Sequence, residues 1–407
     1  MRLLSVFCTF IIMIQYTIPD PALAQPWLTP LECVKTPIPK DKTSGSGYTA
    51  IECGLEGTVY VGTAWYGFSG YLLAYNYKTR QFRTLAHVED VFHEFGRGIN
   101  AHGKTHTRFK IGQDGKIYGG TKHGYEIFNT RPEFGESYNG YPGGHLYCYD
   151  PALDRVTDLG IPFPQEGFMS ICLDDKRGRI YGIADPNYHF IMYDLKTGEG
   201  VNFGPPGNYI SCRYMAIDDE GYVYHPGEPN YMVVFDPDKE ELIDVPLKIE
   251  EITDYSHPYA MNVGPKGSHR VYAIMNSTPA KFIEYITTSK DAITVREIPL
   301  TELGGLPGGI TGGSTIALGK DDKMYWTCGF KLPDDKDYRL ALFSYDPATG
   351  KAKCFGHLFY EGKPVFTGGV QGSVLDYEGN WHAMVHRSFV LPNYPYSVVT
   401  IPGLAFK

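Results

Sequence analysis

"GKIYGG", residues 115–120, is the stretch that decides the fold, because variants of it recur along the chain. Close copies of its first four residues are GTVY at 57–60, GRIY at 178–181 and GYVY at 221–224. Looser copies are HRVY at 269–272, DKMY at 322–325 and GNWH at 379–382. Their fourth positions lie 43 to 63 residues apart. Recurrence of one pattern at such a period indicates a propeller or a solenoid.

Each copy has the same flanking signals. An apolar run with an acidic turn precedes it, as in residues 171–175, and a Tyr-Asp-Pro-type turn follows it, as in residues 149–151 and 345–347. Asp and Pro favour tight turns between strands. Four short strands per copy predict an all-β fold, a seven-bladed β-propeller formed by residues 25–407 as one domain. We expect the segment from Leu31 to Pro39 to supply the strand that closes the ring.

The composition and the N-terminus restrict the classes of function. The 47 glycines, 32 tyrosines and 22 phenylalanines suit strands and turns. A net charge of −9 without a basic stripe argues against nucleic acid as a partner. Residues 3–14 are an apolar run after Arg2, and Ala22 to Ala24 offer a small-residue cleavage site. This pattern predicts a signal peptide at residues 1–24, hence a secreted or periplasmic protein without a membrane span.

The number and spacing of the cysteines do not indicate a disulfide framework. Of the eight, Cys8 lies in the predicted signal peptide, and the seven that remain are widely spaced. Cys53, Cys172 and Cys212 lie in apolar runs, which predicts buried thiols. Cys33 with Cys53 is the one disulfide pair that we consider.

Propeller topology sends many histidines to one face. His123 follows the second strand of its copy, so it should lie opposite the acidic turns, at the mouth of the central channel. Residues that follow the second strand of a copy, or that stand at the start of its inner strand, should reach the same mouth: His102, His106, Arg108, Tyr188, His189, Arg213, Tyr214, His225, Tyr255, His257, Tyr259, His386 and Arg387. We expect His102, Arg108, His225, Tyr255, His257 and Tyr259, together with His145, to bind the ligand. One histidine alone would be an ordinary loop residue, but many histidines converging with arginines and tyrosines indicate a site.

Several other chemistries fit this set poorly. His102 and His106 are four residues apart, but glycine between them indicates a loop rather than a metal-binding helix face. We therefore expect no catalytic metal and no required cofactor, and leave a structural metal, for example at Cys212 and His225, as an alternative. The sequence contains no serine nucleophile elbow, and no acidic pair falls on the predicted mouth.

Histidine, tyrosine and arginine together suit β-elimination at a uronic acid. The C5 proton of the sugar is removed beside a carboxylate, which a cationic side chain must neutralise. One side chain accepts that proton and another protonates the leaving oxygen. The sequence therefore predicts an anionic oligo- or polysaccharide as the partner, and gives no oligomeric state.

A propeller with mouth-facing histidines, tyrosine and arginine in its second, third and fourth copies resembles the propeller polysaccharide lyases. These are the ulvan lyases and the related lyases that remove rhamnose from glucuronate. The resemblance implies that His106 and His123 are the paired catalytic histidines, with His145 as the alternative for the second. It also implies that Tyr188 is the catalytic tyrosine and Arg213 the residue that neutralises the carboxylate.

Two alternatives accompany the lyase prediction. The chain also resembles a group of propeller rhamnosidases, which hydrolyse rather than eliminate. A non-catalytic glycan-binding propeller is the other alternative, in which Trp65, Tyr66 and Tyr141 would provide aromatic platforms. The aromatic-rich insertion at residues 128–144 is predicted to wall one side of the cleft.

Overall fold

The computed structural model describes residues 25–43, 47–65, 68–97, 101–124, 140–206, 213–227, 230–252, 255–256, 258–275, 280–300, 315–335, 337–367, 369–386 and 396–406, with Ser277 and Leu303. Several predicted features lie outside these residues: the signal peptide at 1–24, Tyr66, residues 128–139 of the insertion, Cys212, His257 and Arg387.

The described residues fold mainly into short β-strands. The first half contains β1 (Pro30–Glu32), β2 (Val34–Pro37), β3 (Ile51–Cys53), β4 (Val59–Gly62), β5 (Tyr71–Asn76), β6 (Gln81–His87), β7 (Lys104–Thr105), β8 (Lys110–Ile111), β9 (Ile117–Lys122), β10 (Leu146–Asp150), β11 (Arg155–Gly160), β12 (Gly167–Asp174), β13 (Arg179–Asp185), β14 (Phe190–Asp194) and β15 (Gly200–Asn202). One short helix, α1 (Val88–Phe92), follows β6.

The second half continues the same pattern. It contains β16 (Ala216–Ile217), β17 (Val223–Gly227), β18 (Tyr231–Asp236), β19 (Glu241–Glu250), β20 (Pro258–Val263), β21 (Arg270–Met275), β22 (Lys281–Ile286), β23 (Ile293–Glu297), β24 (Ile316–Leu318), β25 (Met324–Phe330), β26 (Tyr338–Asp346), β27 (Lys351–Tyr360), β28 (Lys363–Pro364), β29 (Phe366–Thr367), β30 (Val370–Leu375), β31 (Trp381–Val385) and β32 (Ser397–Ile401). Single 3₁₀ turns occupy Pro26–Leu28, Lys40–Lys42 and Leu404–Phe406.

Consecutive strands pair antiparallel, as meanders do. The strand orders are β3-β4-β5-β6, β12-β13-β14-β15 and, with β7 and β8 both beside β9, β9-β10-β11. Strands β16 to β23 form one eight-stranded sheet, because β19 and β23 pair in parallel at its centre. The order β24-β25-β26-β27 ends with β1 in parallel beside β27, and β30-β31-β32 ends with β2 antiparallel to β32. Such meanders are typical of propeller blades.

The repeated tyrosine holds its own blade together. Tyr224 donates a hydrogen bond of 2.6 Å to Asp218, and Tyr325 one of 2.8 Å to Asp321, in each case to the acidic turn before its strand. In the loose copy GNWH, the fourth residue His382 contacts Asp376 at 3.0 Å in the same way. A buried hydroxyl or imidazole needs such a partner. In these copies the fourth residue of the motif therefore bonds the turn before its own strand, which explains why histidine can replace tyrosine there.

Aromatic side chains fill the space between neighbouring sheets. Phe282 of β22 stacks on Trp326 of β25 with ring centroids 4.3 Å apart, and Trp326 stacks on Phe343 of β26 at 5.5 Å. The two glycines that end the quoted stretch serve the same packing. A Cβ added to Gly119 would meet the ring of Tyr147 at 2.6 Å, and one on Gly120 would meet Phe168 at 2.9 Å. Both glycines therefore make room for aromatic rings.

Cys33 and Cys53 do not form the disulfide that we considered, and Cys53 and Cys172 are buried thiols as predicted. Cys33 and Cys53 are both free and buried, as are Cys148, Cys172 and Cys328. Burial raises the pKa of the Cys33 and Cys53 thiols to about 12, so both stay protonated and unreactive. Cys33 follows β1, beside β27, whereas Cys53 ends β3 in another sheet. Their apolar surroundings make each of them a small core residue.

Candidate functional site

His106 is a buried, neutral imidazole. It directly follows β7, and its Nδ1 donates a hydrogen bond of 3.1 Å to the carbonyl of Met169. The proton is thereby held on Nδ1, so Nε2 keeps its lone pair. Burial, followed by the charges of Lys122, Arg213 and Lys104, holds the pKa of His106 well below its usual value. A histidine in this state can accept a proton but does not supply a positive charge.

Three cations gather around His106. We call Lys104, Lys122 and Arg213 the basic cluster. Lys104 Nζ lies 4.7 Å and Arg213 Cζ lies 5.2 Å from the ring centroid of Tyr48, whose π face attracts cations. The same ring lies 4.8 Å from the imidazole of His106. Tyr48 therefore joins two members of the basic cluster, Lys104 and Arg213, to His106.

Arg213 reaches across the molecule. It precedes β16, yet its Nη1 donates a hydrogen bond of 2.8 Å to Oε1 of Gln371 in β30. Its guanidinium also lies 6.0 Å from the ring of Tyr259, another predicted mouth residue. Arg213 and Tyr48 are half-buried, whereas Lys104 is buried. Arg213 is thus a member of the basic cluster that solvent reaches.

Lys122 forms a buried ion pair with Asp185. Its Nζ lies 3.0 Å from Oδ2 of Asp185, and the two side chains are 1% and 0% exposed. Burial lowers the pKa of Lys122, Asp185 partly offsets this effect, and Arg213 adds to it. Lys122 ends β9 and Asp185 ends β13, so the pair connects two neighbouring sheets and gives one member of the basic cluster a buried counter-charge.

The other two predicted catalytic residues have different surroundings. Tyr188 is half-buried between β13 and β14 with a left-handed backbone (φ 61°), and it packs against the apolar cluster that includes Met169. Because Met169 also accepts the hydrogen bond of His106, Tyr188 and His106 border the same cluster. His123 is fully buried, and its ring meets the edge of Tyr141 at 5.0 Å. Tyr141 in turn lies 5.5 Å from His102.

The predicted binding residues divide between structural contacts and the basic cluster. Arg108 contacts Glu52 Oε2 and the carbonyl of Ile316, each at 3.3 Å, so its charge serves an internal bridge between sheets. His225 is buried, and its Nδ1 donates to the carbonyl of Pro226 at 2.9 Å. The hydroxyl of Tyr255 bonds that of Tyr285 at 2.9 Å. Of the described binding residues, Tyr259 is therefore the one that the contacts join to the basic cluster.

Two predicted binding histidines meet at a carboxylate. His102 Nε2 lies 3.0 Å from Oε2 of Glu94, and His145 Nε2 lies 3.4 Å from Oε1. Phe92 stacks on the imidazole of His145 with centroids 3.9 Å apart. Arg97 Nε lies 3.3 Å from Glu94 as well. His102 and His145 therefore belong to a second polar group beside α1.

Sequence reasoning missed four residues of these groups. Tyr48 comes directly before the inner strand β3, the position by which Arg213 and Tyr259 were found, so the same rule would have identified it. Lys104 and Lys122 lie in strands, where a lysine normally faces solvent. Glu94 lies in the connection after α1, with no local signal that it would meet two histidines.

The comparisons with known proteins show the fold class. No protein-family model matches the chain, and the curated proteins contain no match. The solved structures titled "Structure of U3-55K" and "Crystal structure of RRP9 WD40 repeats" align with TM-scores of 0.55 and 0.54, at 9% and 10% identity, over 88% of this chain and 95% and 94% of theirs. The extracellular domain of the putative one-component system BT4673 from B. thetaiotaomicron aligns over 90% of this chain and 39% of its own, at 11% identity and a TM-score of 0.55.

At these identities the likeness concerns the fold alone. This chain is an all-β protein with a β-propeller fold, which it shares with these WD40-repeat structures. None of the helices among the described residues has the length and apolar character that crossing a bilayer requires.

Proposed function

We propose that this chain is a secreted polysaccharide lyase, built as one seven-bladed propeller from residues 25–407, that cleaves beside a uronic acid. The observation that carries the proposal is the basic cluster around the neutral His106. The three cations outnumber the one carboxylate, Asp185, that pairs with Lys122, so positive charge is in excess there. A carboxylate is the kind of ligand that such an excess favours.

The strand orders support the blade count. The eight-stranded sheet divides into two meanders of four strands, β16 to β19 and β20 to β23. Inner strands contact their neighbours in succession: β12 with β16, β16 with β20, β20 with β24, β24 with β30 and β30 with β3. Strand β2 lies beside β32, in the position of a closing strand. This succession is expected of blades that adjoin one another in sequence order, and β2 beside β32 is expected where the N-terminus completes one blade, so both support the proposed count of seven.

The chemistry follows from which groups are charged and exposed. Arg213 binds the uronate carboxylate and stabilises the charge that develops when C5 loses its proton. His106 Nε2 accepts that proton, the C5–H electron pair forms the C4–C5 double bond, and the C4–O4 bond breaks. A tyrosine hydroxyl, from Tyr188 or Tyr48, protonates the leaving oxygen. No oxidant, water or cofactor is consumed in this scheme.

Product analysis tests the proposal. The protein is incubated with ulvan and, separately, with rhamnose-capped arabinogalactan, while ultraviolet absorbance and released sugars are measured. We expect absorbance from the C4–C5 double bond to rise together with the released oligosaccharide or rhamnose. Sugar released without that absorbance would mean hydrolysis, the activity of the propeller rhamnosidases, and would reject elimination.

A non-catalytic glycan-binding propeller is the second candidate. The burial of His106 and His123, 1% and 0% exposed, favours it, because a buried base does not meet a polymer at the surface. Binding would then depend on the half-buried Tyr48 and Arg213. This candidate predicts a measurable affinity for both glycans with no new product after prolonged incubation.

A further inference from the structure

The second polar group beside α1 has the donor set of a metal site. Ligand atoms from Glu94, His102 and His145 all lie within 4.8 Å of one another. In a four-coordinate zinc site with bonds of roughly 2.0–2.1 Å, neighbouring ligand atoms lie about 3.4 Å apart. The separations of 3.0 and 3.4 Å between the carboxylate and the two Nε2 atoms fall in that range.

The outer nitrogens of both histidines are already engaged. Nδ1 of His145 donates to Oδ1 of Asp158 at 2.8 Å, and Nδ1 of His102 lies 3.2 Å from Oγ1 of Thr121. Thr121 Oγ1 also accepts the backbone N–H of His145 at 2.9 Å. An oxygen partner on the far nitrogen is the arrangement that orients metal-binding histidines. It directs the Nε2 atoms of both rings towards Glu94.

A neutral His145 leaves one of its two carboxylate contacts unbalanced when hydrogen bonding alone is considered. Both of its ring nitrogens face carboxylate oxygens, those of Asp158 and Glu94. A neutral imidazole has one N–H and can donate to only one of them. A cation between Nε2 and Glu94 satisfies both sides, since the metal binds the lone pair while Nδ1–H donates to Asp158.

The surroundings favour a bound ion over a solvated group. His102 is 0% exposed and His145 is 5% exposed. Phe92 stacks on His145, and Tyr141 lies against His102, so apolar faces cover the two rings. Arg97, at 3.3 Å from Oε2 of Glu94, is the one cation that the contacts place there, and it approaches the oxygen that faces His102. Because the contact of Arg97 is to Oε2, Oε1 of Glu94 is still offered to an ion between the two imidazoles.

We propose that Glu94, His102 and His145 bind one Zn²⁺, with the fourth position left to water. The site goes beyond the proposed lyase chemistry, to which it contributes no step. The three ligands come from the segment after α1, the loop before β7 and the loop before β10. The ion would therefore connect the segment between the first two meanders to two loops of the second.

Zinc binding to the full chain tests the site directly. The chelator-treated protein is titrated with Zn²⁺ by calorimetry, and bound zinc is measured by elemental analysis after desalting. We expect about one Zn²⁺ per chain, a higher Tm with zinc, and weaker binding of Ca²⁺, which prefers oxygen ligands. Absence of zinc binding by the unmodified protein would overturn the proposal without any variant.

Variants then assign the ligands. His145→Gln and Glu94→Gln should abolish both zinc retention and the zinc-dependent rise in Tm. Asp158→Asn, on the more exposed outer strand, should weaken zinc binding by roughly 10- to 100-fold without removing a ligand. His189→Gln is the matched control, because His189 contacts a single carboxylate, Glu166, at 2.7 Å. Equal zinc binding by His145→Gln and His189→Gln, both folded by circular dichroism, would refute the assignment.

Discussion

His106 makes the stability of the protein depend on pH. Its pKa lies well below the usual value in the folded chain, mainly through burial, so the folded state keeps it neutral. The unfolded chain binds a proton there as pH falls below about 6.5. The unfolded state then holds more protons, and the free energy of unfolding should fall by about 1.4 kcal/mol per pH unit for this residue.

We expect His106→Gln to flatten this dependence. The slope of the free energy of unfolding against pH, measured by urea unfolding between pH 7 and pH 5, should be smaller in the variant by about the contribution of one proton. His93→Asn is the control, because His93 is exposed and asparagine tolerates its left-handed backbone (φ 55°). Identical slopes for His106→Gln and the unmodified protein would contradict a neutral, buried His106.

The Lys122–Asp185 pair should be costly to break. Lys122→Met removes the ammonium group from a carboxylate that is 0% exposed. Loss of one partner of a buried pair typically destabilises by about 3–5 kcal/mol. Chemical denaturation measures this loss. Replacing both residues, as in Lys122→Met with Asp185→Leu, should recover part of the stability, because no isolated charge remains buried.

An exposed pair provides the comparison. Lys116 lies 2.6 Å from Asp114, but both side chains are more than a third exposed. Lys116→Met should therefore cost less than about 1 kcal/mol. If Lys116→Met and Lys122→Met destabilised the protein equally, the buried pair would have no special role.

At the level of elements, a buried hydrogen bond connects β2 to the first meander. Thr36 Oγ1 and the hydroxyl of Tyr75 in β5 form a buried hydrogen bond of 2.8 Å. Thr36→Val and Tyr75→Phe should each cost about 1 kcal/mol of unfolding free energy. Because each change removes the same bond, the double variant should cost clearly less than the sum of the two. Additive costs would mean that β2 does not depend on this contact.

The strands and the turns between them were the part of the structure that the sequence predicted best. The tyrosine of the repeated motif lies a few residues after the acidic turn to which it bonds. Both partners therefore belong to one local pattern that can be recognised in the sequence. The parallel pairing of β19 with β23 joins residues from two copies, and nothing local in either strand specifies it. The same limit applies to Lys104 and Lys122, whose convergence on His106 depends on how the sheets are arranged.

The candidate site was predicted in part. Arg213, His106 and Tyr259 were selected from their positions at the starts of inner strands, and the structure places their side chains in or beside the basic cluster. His102 and His145 were selected too, but their partner is Glu94. The direction of a side chain in an irregular segment depends on packing. Sequence position alone therefore did not separate the basic cluster from the polar group beside α1.

At the scale of the whole molecule, a net charge of −9 repels a polyanion, so binding must depend on the basic cluster. Arg213→Ala should reduce affinity for a uronate-containing oligosaccharide by roughly 10- to 100-fold, the effect of losing a charged hydrogen bond. Arg179→Ala, which breaks an ion pair with Glu240 at 2.6 Å, is the control and should leave affinity unchanged. Calorimetry at fixed salt measures both, and equal losses would move the anion site elsewhere.

The pairing of β19 with β23 and of β1 with β27 also bears on self-association. The outer strand of a sheet exposes unpaired N–H and C=O groups, on which a strand of another molecule can template an aggregate. At β19 and β27 these N–H and C=O groups are already paired, with the neighbouring outer strand β23 and with β1 of the N-terminal segment. Fibril growth or strand exchange between copies should therefore start at the other outer strands, such as the fully exposed β15.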